Sequence, residues 1–153
     1  MPAPVRYFED YPVGTVLDLG SAAVDRDELI AFAQRYDPQP FHVDPQAARA
    51  SVYGGLIASG WMTGSLMMRR LVEAFLSPES SLGSPGIDEL RWLVPVRPGD
   101  ILNVRATVLE ATPSRSKPDR GVVRTLFEAL NQNGEVVMSM KAMNLLRREP
   151  RAG

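Results

Sequence analysis

The chain carries a single histidine, His42, and a carboxylate stands five positions before it at Asp37. Two prolines, Pro38 and Pro40, lie between them. A proline fixes its own φ and disfavours helix at the residue before it. Asp37 and Gln39 are therefore expected to be extended, in a stiff loop that presents one acid and one imidazole. That pairing suits proton transfer to and from a small substrate. The same residues have a plainer use, with Asp37 capping a turn and His42 packing on Phe41. A second group follows at Gly54-Gly55-Leu56-Ile57-Ala58-Ser59-Gly60. Gly60 falls where a long helix is expected to begin. Unpaired N–H groups and the positive end of the helix dipole there favour an oxygen that gathers negative charge. Glycine would let a substrate approach the backbone closely, and a tight turn or close packing would ask for it too.

Other side chains near this entry carry weaker signals. Ser65 lies one turn into the expected helix and could hydrogen-bond a substrate carbonyl. A nucleophilic triad built on it lacks the strand-to-helix elbow that such serines occupy. Trp61 reads either as the wall of a substrate tunnel or as plain core. The same holds for Met62, Met67 and Met68, whose flexible side chains suit an adaptable pocket. Arg115-Ser116-Lys117-Pro118-Asp119-Arg120 is the local basic cluster, either a contact for phosphates or a solvated hairpin tip.

Composition narrows the classes. The chain has 153 residues, fits one domain over 1–153, and can bury a sizeable core. A net charge of −1 gives no basis for a nucleic-acid or membrane-surface partner. The absence of cysteine excludes disulfides, thiolate zinc sites and a cysteine nucleophile, and one histidine argues against a His-based metal site. No phosphate-binding or dinucleotide glycine motif is present, so no cofactor is expected. No apolar run is long enough to span a bilayer, and the N-terminus has no signal-peptide core. The expected location is the cytoplasm.

The elements that must position these residues follow from periodicity. Thr15–Val24 reads as a strand. Asp25 as N-cap with Glu28 three residues on has the spacing of a capping box. Leu29, Phe32, Ala33 and Tyr36 recur as one helical stripe that Pro38 ends. Asp37 would then sit at the negative end of a helix, which together with partial burial should raise its pKa. Pro45–Ser51 reads as one or two helical turns. The long helix is expected over Ser59–Leu76, with apolar residues round most of its circumference, hence largely buried. A Ser/Pro/Gly loop covers Ser77–Gly86. Strands are expected over Leu90–Val96, Leu102–Val108, Val122–Leu130 and Val136–Leu146, the last two joined at Asn133-Gly134, a strong hairpin signal. Thr112–Gly121 reads as a polar loop. Consecutive antiparallel strands plus one buried helix make an α+β chain.

Asp37-x4-His42, then Ala48, then the run from Gly54 to Gly60, resembles the MaoC-like hydratase/dehydratase family. The likeness runs from about Tyr7 to Arg147, in the branch reading DPQPFH and GGLIASGW. It implies a hot-dog fold, a curved antiparallel sheet wrapped round one long helix. It also implies action on acyl thioesters, most commonly of coenzyme A. In such proteins an Asp/His-held water adds across a trans-2-enoyl double bond, or leaves an (R)-3-hydroxyacyl group. Carried over, Asp37 is the base, His42 orients the water, and Gly60 donates to the thioester oxygen. A homodimer with the acyl site at the subunit interface is implied as well. The chain departs from the commoner pattern in having Arg35-Tyr36 for Ser/Thr-Gly, Gln39-Pro40 for Asn-Pro, Phe41 for a small aliphatic residue, and Ser59-Gly60 for His-Gly. A hot-dog thioesterase using Asp37 as base, and a non-catalytic acyl-binding or partner subunit, are the alternative readings.

Overall fold

The computed structural model describes residues 3–150. Five strands form one antiparallel sheet in the order β1 (Val16–Ala23), β3 (Ile101–Pro113), β4 (Arg120–Leu130), β5 (Val136–Arg147), β2 (Ile87–Trp92). Alternation in β3, β4 and β5 sets one face inward, with Leu102, Val104, Ala106 and Val108 beside Val123, Phe127 and Ala129, then Met138, Met140 and Ala142. The long helix α4 (Gly60–Ala74) lies on that face and buries Met62, Met67 and Leu71 against it. Phe75 and Phe127 meet edge to face at 5.0 Å in the centre of this core. This is the hot-dog arrangement, and the wrapped helix is the one expected from the sequence.

Turn chemistry agrees with the reading. The β4–β5 hairpin turns at Gly134 with φ +77, a value that favours glycine. The Asn131 carboxamide oxygen accepts from the N–H groups of Asn133 and Glu135. Helix α1 (Arg26–Tyr36) starts at Asp25, whose carboxylate accepts from the Glu28 N–H. Only this half of the expected capping box forms.

Three differences have physical reasons. β2 begins and ends earlier than expected: Leu93 and Val94 both donate to the Val137 carbonyl, so the chain leaves the ladder before Pro95. β3 and β4 extend into the expected loop, because residues as far as Pro113 and Gly121 still find partners. Helix α4 buries one side only; Trp61, Met68 and Val72 face outward. A single sheet can cover only one face of a helix that is apolar most of the way round.

Tyr11 anchors the entry to the sheet, 1 % exposed, with its hydroxyl donating to the Phe75 carbonyl. Burial pushes this phenol up from 10.0 to about 12, against a lowering by Arg6 and with a raising by Asp10. A phenol with a raised folded pKa holds its proton more tightly folded than unfolded. The linked stability is therefore whole below pH 10 and is lost as pH rises through about 12. Urea unfolding across that window is expected to show a steeper loss for the natural chain than for Tyr11→Phe; parallel curves would contradict it.

Candidate active site

Asp37 ends α1 as its C-cap, and Pro38 prevents the helix from continuing. Its φ of −153 and that of Gln39, −76, with ψ values of 67 and 145, are the extended-side geometries the prolines impose. The chain then makes a single turn, α2 (Pro40–Val43), which the stiff-loop reading did not include; Pro40 sits at its first position, where no N–H is needed. This turn carries His42 inward to 5 % exposure. Asp44 caps α3 (Pro45–Ala50) through the N–H groups of Gln46 and Ala47.

The segment ahead of α4 completes the histidine's setting. Ile57 donates its N–H to the Phe41 carbonyl at 3.2 Å, and its own carbonyl lies 2.7 Å from His42 Nδ1. A carbonyl can only accept, so Nδ1 carries the proton. His42 Nε2 then faces Asp37 Oδ2 at 3.3 Å. In the neutral ring both of these atoms are acceptors. They are reconciled either by a proton on Nε2 or by a water that donates to both.

The other carboxylate oxygen, Oδ1, accepts from Gln39 Nε2 at 2.7 Å. The direction of the Asp37 pKa corrects the sequence expectation. Burial pushes it up, as expected, but the Gln39 amide, the Ser59 hydroxyl beside it, and the charge and hydrogen bond of His42 outweigh burial and hold it below its ordinary value. The sequence reading placed Asp37 only against its own helix. It missed the N-terminal turn of α4 on the other side.

Asp37, His42, Gly60 and Trp61 line one cavity of about 540 Å³, together with Thr63, Trp92 and residues 94–96. Ser59 caps α4, accepting the Trp61 N–H on its hydroxyl and the Met62 and Thr63 N–H groups on its carbonyl. Among the described residues no partner is recorded for the Gly60 N–H. Trp92 lies against Gly60, so close that an added Cβ would fall 2.3 Å from the indole, and its Nε1–H donates to the Gly60 carbonyl at 3.0 Å. Trp61 meets Trp92 edge to face at 5.1 Å and is 61 % exposed, so it is cavity rim rather than core. Ser65 is not brought to the site; it is exposed and returns its hydroxyl to the Trp61 carbonyl. Arg115 and Lys117 sit exposed at the β3–β4 turn. Sequence reasoning missed Gln39 as a hydrogen-bond partner of Asp37. Gln39 could have been read from its place two residues on.

The chain is similar to known proteins in sequence and in fold. The family described as MaoC like domain matches residues 10–129. A solved structure of a MaoC-like dehydratase from Rhodospirillum rubrum is 44 % identical, covers 95 % of this chain and 99 % of its own, and superposes with a TM-score of 0.89. A 3-hydroxybutyryl-CoA dehydratase of Methylorubrum extorquens is 27 % identical across 89 % of this chain and 85 % of that protein. A mesaconyl-CoA hydratase of Cereibacter sphaeroides is 32 % identical across 96 % of this chain, which spans 43 % of that enzyme's length.

Proposed function

The chain belongs to the MaoC-like domain family, and on that premise we propose that it adds water to trans-2-enoyl thioesters, or removes it from (R)-3-hydroxyacyl thioesters, at Asp37 and His42. Coenzyme A is the proposed carrier, and the cytoplasm the proposed location; no helix among the described residues is long and apolar enough to cross a membrane. The observation that carries the reading is the pair of facing acceptors, Asp37 Oδ2 and His42 Nε2, in a cavity that also holds the N-terminus of α4. A water donating to both keeps its lone pairs free for C3 of the enoyl group. As it attacks, its proton passes to the pair, and C2 takes a proton in return. The charge that collects on the thioester oxygen meets the Gly60 N–H and the positive end of α4. Dehydration runs the same steps backward.

The test is loss of enoyl absorbance with short, medium and branched trans-2-enoyl-CoA substrates. Turnover is expected for at least one. Release of free thiol without hydration would replace this reading with a thioesterase. Neither product from any thioester would leave an acyl-binding or partner subunit.

The same reading includes a homodimer over a single domain at 1–153. β2 is a free sheet edge, and Ile87, Trp92 and Leu93 stand exposed on and beside it. Trp61, which meets Trp92, and Met68 and Val72 on the outward side of α4 are exposed as well, and exposed apolar side chains beside a sheet edge are of the kind a partner covers. Sedimentation at micromolar concentration is expected to give twice the 16.8 kDa chain mass, and Leu93→Glu with Met68→Glu to give monomers. A natural chain that sediments as a monomer would remove the dimer.

A further inference from the structure

The buried part of the cavity wall is made by His42, Ile57, Ala58, Thr63 and Val96. Only His42 and Thr63 among these carry polar side chains, and His42 is already engaged with the Ile57 carbonyl and Asp37. Thr63 is 1 % exposed. Its N–H is bonded to the Ser59 carbonyl, which also takes the Met62 N–H. Its hydroxyl has no hydrogen-bond partner among the described residues. Ser65, in the same helix, returns its hydroxyl to the carbonyl four residues back. Thr125 and Asn144 also leave a side-chain oxygen unpaired, but theirs are closed off within the sheet, whereas Thr63 opens on the cavity. A buried hydroxyl left without a partner is costly, and a site that a ligand can satisfy in this way discriminates between ligands. We propose that Thr63 sets the substrate class of this site: an enoyl thioester whose acyl chain carries an uncharged oxygen, a hydroxyl or a carbonyl, that bonds to the Thr63 hydroxyl.

This substrate class rests on the thioester reaction proposed above. The cavity rim is at Trp61 and Trp92, 61 % and 46 % exposed. The large, charged carrier stays at that rim, and the acyl group takes the buried part. Thr63 follows Gly60 by three residues on the same side of α4, about 4.5 Å further along the helix. With the thioester oxygen at the Gly60 N–H, the atoms beside Thr63 are those of the acyl chain near C4 and C5. The remaining buried wall, Ile57, Ala58 and Val96, is apolar and suits the hydrocarbon between. Charge decides the kind of oxygen. Among the described residues no lysine or arginine lines the cavity, and Asp37 adds a negative charge to it. A carboxylate on the acyl chain would lose its water there with no cation in return. A neutral hydroxyl or carbonyl needs only the one hydrogen bond that Thr63 offers.

The test compares trans-2-hexenoyl-CoA with its 5-hydroxy counterpart, on the natural chain, Thr63→Val and Thr63→Ser. Valine keeps the shape and loses the hydroxyl; serine keeps the hydroxyl. The natural chain is expected to prefer the hydroxylated substrate by about tenfold in kcat/KM, the worth of one hydrogen bond to an otherwise unpaired group. Thr63→Val should abolish that preference, chiefly through KM, and Thr63→Ser should restore it. An unchanged preference in folded Thr63→Val overturns the proposal. So does an equal loss on both substrates, which would place the hydroxyl at the reacting water or in packing. Calorimetric binding of the saturated pair, hexanoyl-CoA and 5-hydroxyhexanoyl-CoA, gives a readout independent of turnover, and the same preference and the same loss are expected in Kd. A chain without hydratase turnover removes the proposed function but leaves this binding comparison to decide the role of Thr63. Equal affinity of the natural chain for the two saturated thioesters overturns the proposal even if neither variant folds.

Discussion

Asp37→Asn and His42→Ala will each lower kcat/KM for enoyl-thioester hydration by about 10²- to 10⁴-fold, the range a positioned acid–base group contributes. Asparagine keeps the shape of the carboxylate but cannot take the water's proton. Its amide would also donate straight to His42 Nε2, the atom that faces Asp37 at 3.3 Å, and so displace the water. His42→Ala removes the second acceptor and the ring that the Ile57 carbonyl holds in place. In the proposed reaction one water depends on both groups, so the double variant should be about as slow as the slower single one. Additive losses would mean that the two side chains act separately. Any hydration by the natural chain should also hold into acid past the ordinary carboxylate range, since the Asp37 pKa is lowered. The sign for stability is the same. A depressed folded pKa contributes stability that is present above the unfolded value and disappears as pH falls through the folded one. Asp37→Asn should therefore flatten the acid side of the stability curve, checked by urea midpoints in paired buffers.

Gly60→Ala should damage folding and turnover together. Its Cβ would lie 2.3 Å from Trp92 Cε2 and 2.6 Å from Nε1, so the indole must move. Moving it breaks its N–H bond to the Gly60 carbonyl and its packing on Trp61. Overpacking of this kind costs about 1–3 kcal/mol, and the loss should appear as a lower urea midpoint. The displaced wall would also disturb access to the Gly60 N–H. Losing an oxyanion donor costs about 10²- to 10³-fold in kcat, and a loss on this scale is expected. Adding Trp92→Ala should return much of the stability without returning full activity. A Gly60→Ala chain with unchanged midpoint and rate would rule out both roles.

What could be read from the sequence was what neighbours along the chain decide. Pro38 and Pro40 set the backbone of Asp37 and Gln39 within a few residues, so the acid, the imidazole and their loop were legible. Asn133-Gly134 fixed a hairpin for the same reason. The direction of the Asp37 pKa was not legible, because its causes include Ser59 at the entry of α4, far from Asp37 along the chain. The Trp92–Gly60 stack joins residues 32 apart and leaves no periodic trace. The apolar circumference of α4 was read as burial within the chain. Its outward residues, Trp61, Met68 and Val72, are instead left uncovered by this chain's own sheet.

The sheet order has a consequence for how the chain is made. β1 pairs with β3, Val16 lying opposite Thr107, so its partner leaves the ribosome roughly ninety residues later. At about 5–20 residues per second, the delay is on the order of ten seconds. During that interval β1 is a nascent strand with nothing to pair with. Its composition tolerates the wait: only Leu19 along Val16–Ala23 is buried in the finished fold, and Asp18, Gly20 and Ser21 interrupt any sticky run. α4 and β2 are synthesised within the same interval. The apolar side of α4 is thus ready as a surface before the sheet that will wrap it exists.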